Sequence, residues 1–311
     1  MVELTFFDDP RAFLARADAH LRRDPVINTV VATYSERLAV EIEDGLYEPE
    51  VDHPRWWLVV TDDAGEVVGA GMRTAPFVPH PPFLLPVPDE AAVELARVLH
   101  ERGEVLGGVN GALPGTRLLA EESARLTGGR AEVAIHTRLF RLDRLVPPRP
   151  VAGSLRLATP QDAGLALAWF LDFAHAADVQ AGREPGSTHE PVETLEGILR
   201  RIELGRIWLW EDEAGERVHL TGANPPSYGA ARVGPVYTPP EHRGRGYASA
   251  AVAQVSQEIL DGGSVPCLFT DQANPTSNGI YQALGYRPVV DMANLLVHHR
   301  SARPSSAGGA A

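Results

Sequence analysis

The residues best suited to chemistry form a glycine- and arginine-rich turn, Arg243-Gly-Arg-Gly-Tyr-Ala248, in the second half of the chain. A β-prone run that ends at Val236–Thr238 precedes this turn, and apolar residues at helical spacing follow it. The first N–H groups of a helix have no internal partner, so a turn that opens a helix attracts anions. Gly244 and Gly246 would let the backbone approach a phosphate closely. The stretch therefore predicts a phosphate or pyrophosphate cradle.

Neither of the common nucleotide motifs matches this turn. A P-loop needs a lysine after its second glycine, and all 28 basic residues of the chain are arginines. The dinucleotide fingerprint Gly-x-Gly-x-x-Gly needs a third glycine at the position that Ser249 occupies. The predicted phosphate cradle is therefore neither a P-loop nor a dinucleotide-binding turn.

The turn resembles the acyl-CoA pyrophosphate loop of the GCN5-related N-acetyltransferases, whose pattern Arg/Gln-x-x-Gly-x-Gly/Ala is met by Arg243, Gly246 and Ala248. A second block of that family follows at the expected distance, from Asn274 through Tyr281 to an aromatic-glycine ending at Gly285-Tyr286. The resemblance covers residues 152–298 and is architectural before that. It implies an α/β (α+β) fold of two tandem acyl-CoA N-acyltransferase domains, each a mixed, mostly antiparallel sheet flanked by helices.

The resemblance also implies acetyl-CoA as cosubstrate and a set of residues that hold it. The pyrophosphate would bind to the loop and the first helical turn, at Arg243, Gly244, Arg245, Gly246, Tyr247, Ala248 and Ser249. The pantetheine arm would pair with the end of the preceding strand as an added strand does, at Val236, Tyr237 and Thr238. Asn274 and Ser277 complete the set, although Asn274 is equally well explained as a turn or helix-cap residue.

Tyr281 is the predicted catalytic residue. Acyl transfer to an amine expels a thiolate, and a free thiol has a pKa of about 8.5, so a nearby phenol can protonate it. Tyr281 follows Ser277 by four residues and shares its helix face, which points at the cofactor sulfur in this family. The alternative is an aromatic that only packs, and Tyr286 fits that description better.

The residue that takes the proton from the attacking amine is left open, because a water chain would also serve. Candidates stand beside the cofactor strands and in the segment that closes over the acceptor in this family: Glu241, His242, Asp271, Asp172, His175 and Glu190. Cys267 lies in an apolar strand and is predicted to be a buried small side chain, which favours direct attack in a ternary complex. The histidines lack ligand spacing, so no metal is predicted.

The elements that must position these residues are a strand over 231–238, a helix over 248–260, a strand over 265–270 and a helix over 277–284. The first half repeats a similar order of elements and opens with a helix whose face is Phe13, Leu14, Ala17 and Leu21. In place of the glycine loop it has Pro86-Val-Pro-Asp-Glu90, whose carboxylates would repel a pyrophosphate. We therefore expect a degenerate domain without cofactor over 1–147, a catalytic domain over 152–299 and a disordered tail over 300–311, with Val146–Pro150 as the stiff connection.

Composition limits the partners. The net charge of −13 over 311 residues argues against nucleic acid as a partner. No apolar run approaches the roughly 20 residues needed to cross a bilayer, and the acidic start and single cysteine favour the cytoplasm. The expected partner is a small amine-bearing substrate or a peptide amine, with a homodimer as a candidate assembly.

These observations predict an N-acetyltransferase that moves an acetyl group from acetyl-CoA to a primary amine. The alternative is a non-catalytic protein that binds or senses CoA or acyl-CoA, which would need the loop but not Tyr281. A third reading, another phosphate ligand in the loop, would predict no consumption of thioester.

Overall fold

The computed structural model describes residues 2–45, 53–180, 182–184 and 193–300, which fold around one 12-stranded sheet. The strands are β1 Glu3–Phe7, β2 Trp56–Thr61, β3 Val67–Arg73, β4 Phe83–Leu84, β5 Gly108–Ala112, β6 Arg130–Arg141, β7 Ser154–Leu157, β8 Ile207–Glu211, β9 Arg217–Ala223, β10 Ala230–Tyr237, β11 Val265–Asp271 and β12 Arg287–His298. The helices are α1 Pro10–Arg23, α2 Thr29–Glu43, α3 Asp89–Glu101, α4 Gly115–Leu126, α5 Ala163–Gln180, α6 Leu195–Glu203, α7 Tyr247–Asp261 and α8 Pro275–Ala283. None of the described helices is long and apolar enough to cross a membrane.

Helices cover both faces of the sheet, and the side chains of strand β2 alternate between the two cores that these helices form. Trp56, Leu58 and Val60 pack into a core with α3 and α4, whereas Trp57 and Val59 pack into a core with α1 and α2. The predicted face of the first helix is confirmed, since Phe13, Ala17 and Leu21 are fully buried there. That helix begins at Pro10, and the carboxylate of the preceding Asp9 caps it by accepting a hydrogen bond from the backbone N–H of Arg11 at 2.9 Å.

The strand order is β1-β2-β3-β4-β5-β12-β6-β11-β10-β9-β8-β7. The sheet is antiparallel except at β4–β5 and β10–β11, which confirms the predicted mixed, mostly antiparallel architecture. The two halves exchange their last strands. β12 lies between β5 and β6 of the first half, and β6 lies between β12 and β11 of the second. The division into 1–147 and 152–299 stays a prediction, because three strand pairings cross it: β5–β12, β12–β6 and β6–β11.

In the second half, β10 and β11 diverge and leave a wedge-shaped gap beside β10, the strand predicted to bind the cofactor. β10 and β11 pair in parallel over only three residues of each strand, Ala230–Arg232 with Val265–Cys267. Beyond that point β10 pairs only with β9, with a register shift between Val233 and Val236, and β11 pairs only with β6. The facing edges of the two diverging strands are therefore free to bind an extended ligand.

The corresponding place in the first half is closed. β4 and β5 approach so closely that a side chain at Gly111 would overlap the backbone of Leu84. The following helix, α3, carries Asp89 and Glu90 in its first turn, where the dipole already attracts carboxylates. These features favour the prediction that this half takes no cofactor.

Candidate functional site

A cleft of about 610 Å³ lies between the diverging strands β10 and β11, the loop into α7, the start of α8 and the end of α5. The cleft brings together, in its lining, every residue predicted for the cofactor and for catalysis: Val236, Tyr237, Thr238, Arg243, Gly244, Arg245, Gly246, Tyr247, Ala248, Ser249, Asn274, Ser277 and Tyr281. The α5 wall of Phe173, Ala176, Ala177 and Gln180 was not predicted, because it belongs to a helix distant in sequence.

The floor of the cleft at the glycine loop presents unpaired backbone donors. The first hydrogen bond of α7 runs from the N–H of Ala250 to the carbonyl of Gly246 at 3.1 Å. No backbone bond within the described residues uses the six N–H groups from Gly244 to Ser249. Gly244 and Gly246 have φ values of 75° and 88°, which glycine adopts without strain and which turn these donors into a cradle.

The two arginines of the loop brace it from outside. Nε of Arg243 donates to the carbonyl of Thr238 at 3.0 Å, and NH2 of Arg245 donates to the carbonyl of Glu241 at 3.2 Å. Both side chains are exposed, so their remaining N–H groups face solvent at the rim. The loop therefore combines fixed backbone donors with two exposed positive charges, an arrangement suited to a pyrophosphate.

Behind the cofactor strand lies a histidine that sequence reasoning missed. His219 on β9 is fully buried between two hydroxyls, with Nδ1 2.7 Å from Oγ1 of Thr238 and Nε2 2.8 Å from Oγ1 of Thr221. Desolvation lowers the pKa of His219 to about 3, so the ring is neutral at neutral pH. The ring fixes Thr238, whose carbonyl in turn holds Arg243. The signal in the sequence for this arrangement is a histidine that stands two residues before a threonine in an apolar strand.

Tyr281 closes the opposite side of the cleft. Its side chain is 8% exposed, and its ring meets Tyr286 edge-on, with the centroids 5.9 Å apart. Burial raises the pKa of Tyr281, so its phenol keeps its proton and can donate it. Tyr286 is buried deeper, and its hydroxyl lies 2.7 Å from Oγ of Ser256, as expected of an aromatic that packs. Among the described residues no such partner holds the Tyr281 hydroxyl.

Asn274 is a helix cap. Its side-chain oxygen accepts from the backbone N–H of Ser277 at 3.1 Å, and its amide nitrogen donates to Oε1 of Gln180 at 2.9 Å. Of its two predicted roles the structure displays the capping one, while a contact with the pantetheine arm stays a prediction. The bond to Gln180 also ties α5 to α8 across the cleft.

The candidate bases divide into two groups. Asp271 and His242 line the cleft, and each already faces a charged side chain. Asp271 accepts from NH2 of Arg183 at 2.5 Å, and His242 lies 3.7 Å from Glu216. Three others are exposed and stand outside the lining: Glu241, Asp172 and His175. Glu190 lies outside the described residues.

Cys267 is a buried structural side chain, as predicted. It is fully enclosed, and burial raises its pKa to about 11, so the thiol stays protonated and unreactive. In the part of the chain that the structure describes, no three His, Cys, Asp or Glu side chains converge as metal ligands would.

Comparison with known proteins places this geometry in context. Residues 222–294 match the family model described as FR47-like protein. No curated protein matches the chain. Among solved structures, a Drosophila protein superposes with a TM-score of 0.65 at 13% identity, over 94% of this chain and 98% of that one.

Two further structures share the architecture. A GCN5-related N-acetyltransferase from Sphaerobacter thermophilus superposes with a TM-score of 0.54 at 16% identity, over 94% of each chain. A tandem GNAT (GCN5-related N-acetyltransferase) protein from the clavulanic acid biosynthesis pathway gives a TM-score of 0.50 at 13% identity, over 95% of this chain and 98% of that one. At such identities the likeness establishes the fold.

Proposed function

Because the chain carries the tandem GCN5-related N-acetyltransferase fold, we propose that it transfers an acetyl group from acetyl-CoA to a primary amine in the cleft of its second half. One observation carries the proposal. A single cleft joins six unpaired backbone N–H groups, free strand edges and a protonated tyrosine. Each of these features matches one part of an acyl-CoA: pyrophosphate, pantetheine amides and thioester sulfur.

Binding is assigned to the loop and the cofactor strand. The N–H groups from Gly244 to Ser249 would hold the pyrophosphate, with Arg243 and Arg245 neutralising charge at the rim. The free edge of β10 at Val236, Tyr237 and Thr238 would pair with the pantetheine amides. Acetyl-CoA supplies the acetyl group as a thioester, and the cleft holds that thioester against the amine.

Tyr281 is proposed as the general acid. The amine nitrogen forms a bond to the carbonyl carbon, the carbon–sulfur bond breaks, and the Tyr281 hydroxyl donates its proton to the sulfur. Burial raises the pKa of this phenol and would raise that of a thiol in the same cleft, so the proton can still pass to the sulfur. The proton lost by the amine leaves through a base or a water chain. A backbone N–H at the end of the cofactor strand, such as that of Thr238 directly after β10, would stabilise the developing oxyanion.

The test is release of CoA thiol over a panel of primary amines, together with the mass of the acetylated product. The proposal expects thiol release that requires an amine and yields an acetylamide in equal amount. Binding of acetyl-CoA with no amine-dependent turnover would favour the non-catalytic binding protein instead. Absence of acetyl-CoA binding would overturn both and leave another phosphate ligand for the loop.

A further inference from the structure

A second group of charged side chains lies where the two halves meet, on the face of the sheet that carries α2 and α6. We call it the junction cluster: Tyr34, Arg37, Arg201, Asn224 and Arg232. The amide of Asn224 stands between two guanidinium groups, those of Arg201 and Arg232. With its oxygen toward Arg232 it accepts from Nε at 3.3 Å and from NH2, and its nitrogen then faces NH1 of Arg201 at 3.5 Å. One amide oxygen cannot serve both cations.

The cluster holds more positive than negative charge. Arg201 lies 3.5 Å from Glu193, while Arg37 and Arg200 share Glu41 at 3.6 and 3.3 Å. No carboxylate of the described residues pairs with Arg232, so the three arginines of the cluster and the neighbouring Arg200 together face only two carboxylates, Glu41 and Glu193. This excess is notable in a chain whose net charge is −13.

Arg232 contributes most to this excess of positive charge. Its NH1 is enclosed and makes no hydrogen bond. Burial lowers the pKa of Arg232, which is the direction expected for a cation removed from water without an anion beside it. Such a group destabilises the folded protein unless a ligand pairs with it. The unpaired guanidinium is thus explained if it serves a bound anion.

The position of Arg232 links the cluster to the reaction. Arg232 and Cys267 form the last pair before β10 and β11 diverge into the wedge. Gly234, two residues further along the same strand, shares its face, and a side chain there would meet no described atom within 4 Å. A molecule over Gly234 would therefore lie between Arg232 and the register shift at Val233–Val236, where the cofactor strand begins.

Access to the cluster is compatible with this position. The ion pair between Arg200 on α6 and Glu41 on α2 joins the two halves at 3.3 Å, and Arg200 is half exposed. Exposed pairs of this kind contribute little to stability. Breaking this pair would therefore cost the folded protein little free energy.

We propose that the acceptor amine also bears a carboxylate or phosphate group, which Arg232 binds with the help of Arg201. This inference rests on the proposed acetyltransferase function and names the class of its acceptor. Arginine pairs with either anion through charge-assisted hydrogen bonds, and NH1 of Arg232 is the donor that lacks a partner. The two sources of the anion, an amino acid or an aminoalkyl phosphate, are separated by the experiment.

The experiment compares matched acceptors in the full-length protein. Each amino acid is assayed beside the amine that lacks its carboxylate, and phosphoethanolamine beside ethanolamine. We expect kcat/KM for the anionic member of the preferred pair to be about tenfold higher or more, as for a hydrogen bond between two charged groups. Arg232→Gln should reduce that preference to about twofold or less, and Arg232→Lys should leave an intermediate value. Arg97→Gln, a surface arginine of the first half, is the matched control and should keep the full preference.

A binding measurement separates this inference from the proposed function. Anionic acceptors, and not their uncharged partners, should raise the melting temperature of wild type but not of Arg232→Gln, whether or not turnover occurs. Without ligand, Arg232→Gln should melt at the wild-type temperature or above it, because it removes an uncompensated buried charge. A lower melting temperature with unchanged acceptor preference would mean that Arg232 is purely structural. Preference for uncharged amines in wild type would also overturn the inference.

Discussion

Tyr281 and Tyr286 lie side by side, yet their hydroxyl groups have different surroundings. The Tyr286 hydroxyl is paired with Ser256, whereas that of Tyr281 lines the cleft. A Tyr281→Phe variant should bind acetyl-CoA with an affinity within about threefold of wild type, since the edge-on ring contact is kept. Its kcat should fall about 100-fold or more, which is the usual contribution of a general acid. Calorimetry and steady-state kinetics would measure the two effects separately.

Tyr286→Phe is the control for that experiment. It removes a buried hydrogen bond and should lower the free energy of unfolding by about 1 kcal/mol while leaving kcat within about threefold. If both variants lost activity equally, packing and not proton donation would explain Tyr281.

His219 gives a prediction on pH. Its pKa is lowered to about 3 in the folded protein, against about 6.5 when unfolded. Below pH 6.5 the unfolded chain binds a proton that the folded chain does not, so this group makes the protein less stable as pH falls towards 3. The loss should approach about 1.4 kcal/mol per pH unit. His219→Gln can still bond the hydroxyl groups of Thr221 and Thr238 but cannot titrate there.

Denaturant unfolding of both proteins between pH 7 and 4 would test this effect. The free energy of unfolding of wild type should fall more steeply than that of His219→Gln as the pH is lowered. Parallel slopes would show that His219 does not carry the expected proton linkage.

At the scale of the elements, α8 begins at Asn274, whose side chain caps the helix and contacts Gln180 of α5. Asn274→Ala should lower the free energy of unfolding by about 1 kcal/mol, whereas Asn274→Asp keeps an acceptor for the N–H of Ser277 and should lose less. Thermal or denaturant unfolding would measure both. If Asn274 also binds the pantetheine arm through its amide nitrogen, both variants should weaken acetyl-CoA binding by a similar factor.

The elements around the site could be read from the sequence because they are locally encoded. Residues 248–260 show an amphipathic pattern with glycines before it, and α7 begins at Tyr247. Strands with weak local signals were missed or displaced. β1 was not predicted, β4 consists only of Phe83 and Leu84, and β5 is rich in small residues, namely Gly108, Gly111 and Ala112. These strands are defined by their neighbours in the sheet, which local patterns do not reveal.

The residues of the site divide in the same way, into those that one continuous stretch of sequence supplies and those that the fold brings together. The glycine loop, Asn274 and Tyr281 belong to continuous stretches of sequence, and the resemblance of those stretches to two blocks of a known family identified them. The α5 wall and the junction cluster are assembled from residues far apart in the chain, such as Arg37 and Arg232. The role of His219 is recognised only from its burial and from the two hydroxyl groups beside its ring.

At the scale of the whole molecule, the exchange of β6 and β12 makes each half depend on the other. We expect residues 1–150 and 151–311, expressed separately, to lack a cooperative thermal transition, because each fragment leaves a long strand unpaired. Coexpression should restore a complex that melts cooperatively, as followed by circular dichroism. Independent folding of either fragment would show that the halves are autonomous domains.

The central claim is that the second half, and only that half, binds acetyl-CoA through its glycine loop. The most direct test is calorimetric titration of acetyl-CoA into wild type, Gly246→Glu and Gly263→Glu. Gly246 and Gly263 lie near opposite ends of α7 and have similar φ values of 88° and 78°, so the two variants impose similar backbone strain. They differ in that a Cβ at Gly246 also contacts Cγ2 of Val151 at 3.0 Å, whereas one at Gly263 meets no described atom within 4 Å. We predict one equivalent bound per chain in wild type and in Gly263→Glu, and none in Gly246→Glu, because the added negative charge within the glycine loop would repel the pyrophosphate. Two equivalents in wild type, or binding retained in Gly246→Glu, would contradict the claim.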